Sequence, residues 1–161
     1  MSTADKHLSD IGHLRTEVKN IQAKRIVVVR ALWNDAVTGA LLTGALDFLK
    51  KAGLPESGLE VIEVPGTFEL TYAAARALKQ HADGIIVLGC VVRGETPHFD
   101  YICQGVTQGI SLLNAQGSAP VIFGVLTTEN QAQALDRAGG RFGNKGEEAA
   151  ATLLHVLAAI D

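Results

Sequence analysis

The chain has 161 residues, which is enough for one domain with a buried core. Hydrophobic residues make up 47% of it and aromatic residues only 5%, so we expect a core of small aliphatic side chains, as in helices packed on a buried sheet. The net charge is −3 and there is no long basic run, so neither nucleic acid nor an anionic membrane is indicated as a partner.

The first 20 residues are polar and show no periodicity. We expect residues 1–20 to form a flexible N-terminal arm and residues 21–161 to form a single domain. The arm lacks the apolar region of a signal peptide, and no stretch approaches the roughly twenty apolar residues that span a bilayer. Cys90 and Cys103 form no C-x-x-C motif, and we interpret them as free thiols rather than a disulfide. These features predict a cytoplasmic protein.

Strands and helices alternate along the rest of the chain. Runs of β-branched and apolar residues predict strands over 25–34, 59–64, 83–92 and 120–126. Helical periodicity, with Gly53 and Gly117 as stop residues, predicts helices over 36–53, 67–81, 98–116, 129–138 and 147–159. The Gly-rich stretch AGGRFGNKG is expected to link the last two helices. This alternation predicts a three-layer α/β fold, in which a four-stranded parallel sheet has helices on both faces.

Polar and aromatic residues follow each predicted strand. The segments after strands one to four are WN, PGTFE, RGETPH and TTEN, and the first contains the only Trp of the chain. In open parallel α/β sheets, ligands bind at the carboxyl ends of the strands. The sequence therefore predicts a binding site at this edge of the sheet.

The stretch GETPH has features of both a helix start and a site. Pro97 suits the first helical position, Thr96 then becomes the N-cap and Asp100 adds a favourable charge to the first turn. Without His98, the start of a helix would be enough to explain this stretch. The positive end of the helix dipole disfavours a protonated ring, so His98 can accept a proton and return it. Free backbone N–H groups beside it favour an anion.

Four motifs in register carry a resemblance to a known family. They are WN after strand one, VPGTFEL, GCVVRGETPHFDYI, and PVIFGVLTTEN followed by RAGGRFGNKG. Over about residues 22–160 the chain resembles the 6,7-dimethyl-8-ribityllumazine synthases, which have a flavodoxin-like fold. That family condenses 5-amino-6-(D-ribitylamino)uracil with 3,4-dihydroxy-2-butanone 4-phosphate and uses no metal or organic cofactor. The resemblance implies the same reaction here.

The resemblance also implies roles for individual residues. His98 would be the acid/base group. Contacts to the pyrimidine and its ribityl chain would come from Trp33, Thr67, Phe68, Glu69 and the backbone of Cys90, Val91 and Val92. The phosphate-bearing substrate would meet Glu95, Thr96 and Arg137, with Lys145 lining the same pocket and Phe123 reaching into the site of a neighbouring subunit.

Some of these residues have simpler explanations from the sequence alone. Glu69 also suits the first turn of a helix, Arg137 is typical of a helix end, and Phe123 fits a core position. The chain departs from the family where Leu32 replaces a common Arg before the aromatic residue of strand one. GGRFGNKG is not a phosphate-binding P-loop, because it lacks the G-K-[ST] ending.

Two other classes of protein share parts of this pattern. A flavodoxin-like electron carrier would have the same layers but would not need His98. A non-catalytic relative that binds flavin or only builds a shell should have lost His98, Arg137 or Lys145, and all three are present. The resemblance further implies a homopentamer with active sites shared between neighbours, in which residues near Thr16–Val18 extend the next chain's sheet. The short AGGRFGNKG link is typical of relatives in which twelve pentamers form a sixty-subunit shell.

Overall fold

The computed structural model describes residues 10–160. Residues 1–9 of the predicted arm, and Asp161, lie outside this part. Four strands form a parallel sheet in the order β2-β1-β3-β4. Their bounds are β1 Ile26–Ala31, β2 Leu59–Val64, β3 Gly84–Val92 and β4 Val121–Thr128. The predicted parallel sheet is confirmed, and β2 and β4 are its edge strands.

Five α-helices accompany the sheet within the described residues. They are α1 Asp35–Lys51, α2 Leu70–Lys79, α3 His98–Gln116, α4 Gln131–Asp136 and α5 Lys145–Ile160. Side chains of α1 and α5 form one core cluster with the sheet, and side chains of α2 and α3 form a second. The predicted three-layer, flavodoxin-like fold is therefore confirmed.

The two central strands, β1 and β3, contribute side chains to both core clusters because successive side chains point to opposite faces of a sheet. In β1, Ile26 and Val28 pack toward α1 and α5, whereas Val27 and Val29 pack toward α2 and α3. The first seven residues of β3 are all buried. A continuous apolar run is what a parallel strand covered on both faces requires. The same continuous run of apolar residues is what predicts β1 and β3 from the sequence.

Glycines end two helices as predicted. Gly53 follows α1 with φ +98° and Gly117 follows α3 with φ +71°. Both angles lie in the left-handed region, which a residue without Cβ enters at little cost. The ends of α1 and α3 could therefore be predicted from sequence.

Several predicted boundaries are corrected by the structure: β1 ends at Ala31 rather than at residue 34, and α2 begins at Leu70 rather than at residue 67. The helix that carries His98 begins at His98 itself, with Pro97 at the N-cap, so Thr96 is not the N-cap. The helix predicted over 129–138 spans only Gln131–Asp136. The Gly-rich link is not irregular: it forms a short antiparallel hairpin of β5 Ala138–Gly140 and β6 Gly143–Asn144. As a result α5 begins two residues earlier than predicted.

The segment before β1 lies against α5. The Arg15 backbone N–H donates to Nδ1 of His155 at 2.9 Å, and the Arg15 guanidinium donates to the carbonyl oxygen of Ala158 at 3.3 Å. Val18 is buried in the core cluster of α1 and α5. No helix in residues 10–160 is long and apolar enough to cross a membrane.

Candidate active site at the carboxyl edge of the sheet

Trp33 lies just beyond the end of β1, and 67% of it is exposed. Its backbone N–H donates to the carbonyl oxygen of Pro65 at 2.9 Å. The indole lies over Gly66, because a Cβ atom placed on Gly66 would be 2.6 Å from two ring carbons. Glu69 accepts a hydrogen bond from the Gly66 N–H at 2.9 Å. The loop after β2 therefore places the exposed indole of Trp33 and the carboxylate of Glu69 around the same glycine, Gly66.

The two residues between Gly66 and Glu69 differ in exposure. Thr67 is buried, and its hydroxyl lies close to Gly89, where a Cβ atom would be 2.8 Å from Oγ1. Phe68 is 57% exposed, with its ring against Gly105 of α3. Glycine on β3 and α3 thus allows the loop to approach both elements closely. This brings Phe68 and Glu69 to the same surface as Trp33.

The end of β3 is joined to the start of α1 by a side chain. Asn34 adopts a left-handed conformation with φ 60°, and its Nδ2 donates to the carbonyl oxygen of Cys90 at 2.9 Å. Cys90 is buried, and the lost hydration raises the pKa of its thiol to about 11. Val91 and Val92 are half-buried. At this point of the site, β3 offers backbone groups rather than reactive side chains.

Residues 93–98 are exposed, and they connect β3 to α3. Glu95 and Thr96 lie in this turn, and the hydroxyl of Thr96 is 3.4 Å from the His98 backbone nitrogen that donates to it. His98 is the first residue of α3, so its ring stands at the amino end of a 19-residue helix. The structure confirms that His98 lies at a helix N-terminus, one position earlier in the helix than predicted.

Arg93 links this turn to its surroundings. Its Nε donates to Glu129 at 2.8 Å, its Nη1 donates to Asp100 at 3.3 Å, and its guanidinium lies 4.2 Å from the centre of the Phe99 ring. The hydrogen bond to Glu129 and the charges of both carboxylates raise the pKa of the guanidinium further. The Arg93 backbone N–H also donates to Thr128 at 2.9 Å.

A second group of predicted residues lies along the outer side of β4. Phe123, Arg137 and Lys145 line one groove of about 630 Å³. Arg137 follows α4 and Lys145 begins α5, and the Lys145 backbone N–H donates to the Arg137 carbonyl oxygen at 2.9 Å. The β5–β6 hairpin therefore brings two cationic residues side by side, although seven residues separate them in sequence.

Glu148 lies beside Lys145 in this groove, and it was not predicted from the sequence as a site residue. Its Oε2 accepts from Nζ of Lys145 at 2.7 Å, while its buried Oε1 has no hydrogen-bond partner in the described part of the chain. Loss of hydration raises the pKa of the Glu148 carboxyl, and the ammonium of Lys145 opposes this shift. A Lys–Glu pair three residues apart on a helix was the available sequence signal.

The structure thus divides the predicted residues into two groups. The carboxyl edge of the sheet, with the ends of its strands and the loops and helix starts that follow them, carries the larger group, which comprises Trp33, Thr67, Phe68, Glu69, Cys90, Val91, Val92, Glu95, Thr96 and His98. The groove beside β4 carries Phe123, Arg137 and Lys145. Phe123 pairs with Val87 in mid-strand and is 41% exposed, so it is neither core nor part of the carboxyl edge. Within residues 10–160, no three His, Cys, Asp or Glu side chains are grouped to hold a metal ion.

The fold and this edge define a flavodoxin-like α/β protein with a polar and aromatic site at the carboxyl ends of its strands. The sequence model of the 6,7-dimethyl-8-ribityllumazine synthase family matches residues 23–161. The chain belongs to this family.

Relatives named 6,7-dimethyl-8-ribityllumazine synthase are similar to this chain over most of its length. The 6,7-dimethyl-8-ribityllumazine synthase of Porphyromonas gingivalis is 54% identical over 155 residues, which cover 96% of this chain and 95% of the relative. The synthase of Phocaeicola vulgatus is 49% identical over 158 residues, covering 98% and 93%. That of Pediococcus pentosaceus is 47% identical over 134 residues, covering 83% and 86%.

Proposed function

We propose that this protein condenses 5-amino-6-(D-ribitylamino)uracil with 3,4-dihydroxy-2-butanone 4-phosphate to give 6,7-dimethyl-8-ribityllumazine, with release of phosphate and water, in riboflavin biosynthesis. The observation that carries the proposal is the family membership together with a site that offers an aromatic face, a histidine and two adjacent cations. These are the groups that a heterocycle, a set of proton transfers and a phosphate ester require.

The pyrimidine substrate is assigned to the carboxyl edge. The exposed indole of Trp33 stacks on the heterocycle. Glu69 accepts hydrogen bonds from ribityl hydroxyls, and Thr67 and Phe68 line the ribityl chain. The backbone of Cys90, Val91 and Val92 pairs with the polar edge of the pyrimidinedione. This last role explains why β3 presents no charged side chain at its end.

The phosphate-bearing substrate is assigned to the exposed turn before α3 and to the groove beside β4. Glu95 and Thr96 contact this substrate from the turn. Arg137 and Lys145 provide positive charge for its phosphate, and their side-by-side placement by the hairpin supports this role. A dianionic group is stabilised more by two converging cations than by a single one.

His98 transfers protons in this proposal. The aromatic amine of the pyrimidine attacks the ketone carbon and forms an imine, a proton leaves the adjacent carbon, phosphate departs, and ring closure releases water. Each step moves a proton, and one positioned histidine contributes about 10²–10⁴-fold to such reactions. Holding two substrates together in attack geometry accounts for much of the remaining acceleration.

We further propose that the site is shared between neighbouring subunits of a homopentamer. Phe123, Arg137 and Lys145 of one chain then complete a site whose other half is Trp33, Glu69 and His98 of its neighbour. The exposure of Phe123 in mid-strand supports this arrangement, because a phenyl ring on an edge strand gains from burial by a partner. Twelve such pentamers form a sixty-subunit shell.

The N-terminal arm extends the neighbour's sheet in this assembly. Edge strand β2 has no second strand beyond it in the described chain, and such an edge accepts an added strand. Val18 packs in its own core and Arg15 is bound to its own α5, so the part of the arm before Arg15 is the part that can reach the neighbour without breaking these contacts. Free Cys90 and Cys103 support a cytoplasmic location for the enzyme.

The proposal is tested by mixing the purified protein with both substrates and recording the absorbance and green fluorescence of the lumazine product. A reaction without protein measures the uncatalysed condensation, and His98→Ala measures the contribution of the imidazole. We expect His98→Ala to lower turnover by up to about 10²-fold, because proximity of the substrates is retained. A wild-type rate equal to the uncatalysed rate would overturn the proposed function, and an unchanged His98→Ala rate would remove His98 from the mechanism.

A further inference from the structure

Arg93 forms the main side-chain contacts that hold the His98 turn. The turn itself is exposed at every position from residue 93 to 98. Apart from its chain neighbours, no heavy atom of the described residues lies within 4 Å of a Cβ placed on Gly94. The His98 backbone N–H donates to the Thr96 hydroxyl, but this hydrogen bond is long, at 3.4 Å. A catalytic group on such a turn needs support from another element.

The side chain of Arg93 supplies that support from three directions. It donates to Glu129 beyond β4 and to Asp100 in the first turn of α3, and it covers the ring of Phe99. Phe99 directly follows His98 in the chain. The guanidinium therefore fixes the residues after His98 to the neighbouring strand, and the backbone bond to Thr128 fixes its own position.

These ion pairs contribute little to stability, because all three charged side chains are 40–60% exposed. Water screens the charges of exposed pairs, so such pairs add little to the free energy of unfolding. Position matters more than stability in a catalytic turn, since a displacement of about 1 Å can cost about 10²-fold in rate. The planar fork of arginine reaches both carboxylates at once, which the single ammonium of lysine does less well.

We propose that Arg93 is a positioning residue that sets the location of the His98 imidazole for proton transfer. The inference rests on the proposed function, in which His98 is the acid/base group. Arg93 acts through His98 and does not itself contact the substrates. Its removal should lower kcat and leave the KM of both substrates nearly unchanged.

The test is a double-mutant cycle in turnover. We expect Arg93→Met to lower kcat by about 10-fold, and Arg93→Lys to lie between Arg93→Met and the wild type. In a His98→Ala background, Arg93→Met should have no further effect. Arg25→Met is the matched control: Arg25 pairs with Glu60 at the amino edge of the sheet with similar exposure, and its loss should leave kcat unchanged.

A second measurement does not depend on the reaction. Backbone N–H groups of Asp100 and Tyr101 donate to the carbonyl oxygen of Pro97, and hydrogen exchange at both should be faster in Arg93→Met than in Arg25→Met. The positioning role would be overturned if hydrogen exchange at Asp100 and Tyr101 is unchanged in Arg93→Met. It would also be overturned if Arg93→Met lowers kcat equally in the wild-type and His98→Ala backgrounds. If Arg93→Met does not fold, Glu129→Gln tests the same network from its other end. A wild type without catalysis would instead contradict the proposed function and leave the exchange result intact.

Discussion

Cys90 shows how one residue can serve the site through its backbone alone. Its carbonyl oxygen accepts the Asn34 hydrogen bond, while its thiol is buried in the core cluster of α1 and α5. Burial explains why the pKa of the thiol is about 11 instead of the ordinary 9.0. At the residue scale, the thiol is therefore a packing group and an inert nucleophile.

We predict that Cys90 reacts slowly with thiol reagents. At pH 8 its thiolate fraction should be about 100-fold below that of an ordinary cysteine, and burial should slow the reaction further. Cys103→Ser removes the other thiol, so the folded and urea-unfolded variant can be compared directly with a chromogenic disulfide reagent. Equal rates in the two states would contradict the buried placement.

The same shift has a consequence for stability at high pH. The unfolded chain loses the thiol proton near pH 9 and the folded chain only near pH 11. Between these values the folded state binds more protons, so the free energy of unfolding falls as pH rises. The contribution of Cys90 is fully present below about pH 9 and lost by about pH 11.

Arg137 is the residue on which the phosphate assignment depends most. We predict that Arg137→Ala weakens binding of the phosphate-bearing substrate by about 2–4 kcal/mol, because a desolvated charge pair is lost. Binding of the pyrimidine substrate should be weakened far less. Separate KM values for the two substrates measure this, and inorganic phosphate should compete with the wild type.

Arg141 provides the matched control for Arg137. It lies in the same hairpin region, but its side chain is 72% exposed and pairs with Asp136. Arg141→Ala should leave both KM values nearly unchanged. If Arg137→Ala instead raises the KM of both substrates equally, Arg137 has a structural role.

At the element scale, the β5–β6 hairpin decides how α5 is placed. Asn144 at its end accepts from the backbone N–H groups of Gly146 and Glu147, and its amide donates to Ala40 of α1 at 3.0 Å. Gly146 packs so closely on α1 that an added Cβ would overlap the Leu41 carbonyl group. The start of α5, and with it Lys145, is therefore locked to α1.

We predict that Gly146→Ala destabilises the protein by about 1–3 kcal/mol or more, because the overlapping atoms belong to a helix backbone that cannot turn aside. Thermal melting measures this. Gly39→Ala is the control, since its Cβ would come no closer than 3.3 Å to the Arg30 side chain and 3.8 Å to that of Asp35, with no backbone atom in the way, and alanine favours a helix. If the melting temperature of Gly146→Ala equals that of Gly39→Ala, α1 and α5 are not closely packed at Gly146.

The elements differ in how well the sequence predicts them. β2 and the end of α3 are found where periodicity and Gly117 place them, because burial on a sheet and a left-handed stop leave local signals. The hairpin leaves no such signal: its strands are three and two residues long and consist mostly of glycine. Its pairing depends on contacts with α1 that are distant in sequence. The Arg93 network was missed for the same reason, since Glu129 follows a different strand.

At the scale of the whole molecule, the two halves of the proposed site make assembly a condition for activity. We predict a pentamer in solution and, with the short link before α5, a sixty-subunit shell. Static light scattering on the purified protein measures the mass. A mass near one chain would contradict the shared site, whereas a mass near five chains would contradict only the shell.

The contact of the Arg15 segment with the last turns of α5 brings both ends of the described chain together. Neighbouring termini are the condition for circular permutation. A short linker could join them, and new ends could be opened at the exposed Gly117–Ser118 turn, at the amino edge of the sheet. Such a permuted chain would leave every loop of the carboxyl edge uncut, so the order of its elements would change while each chain kept both of its contributions to the proposed site.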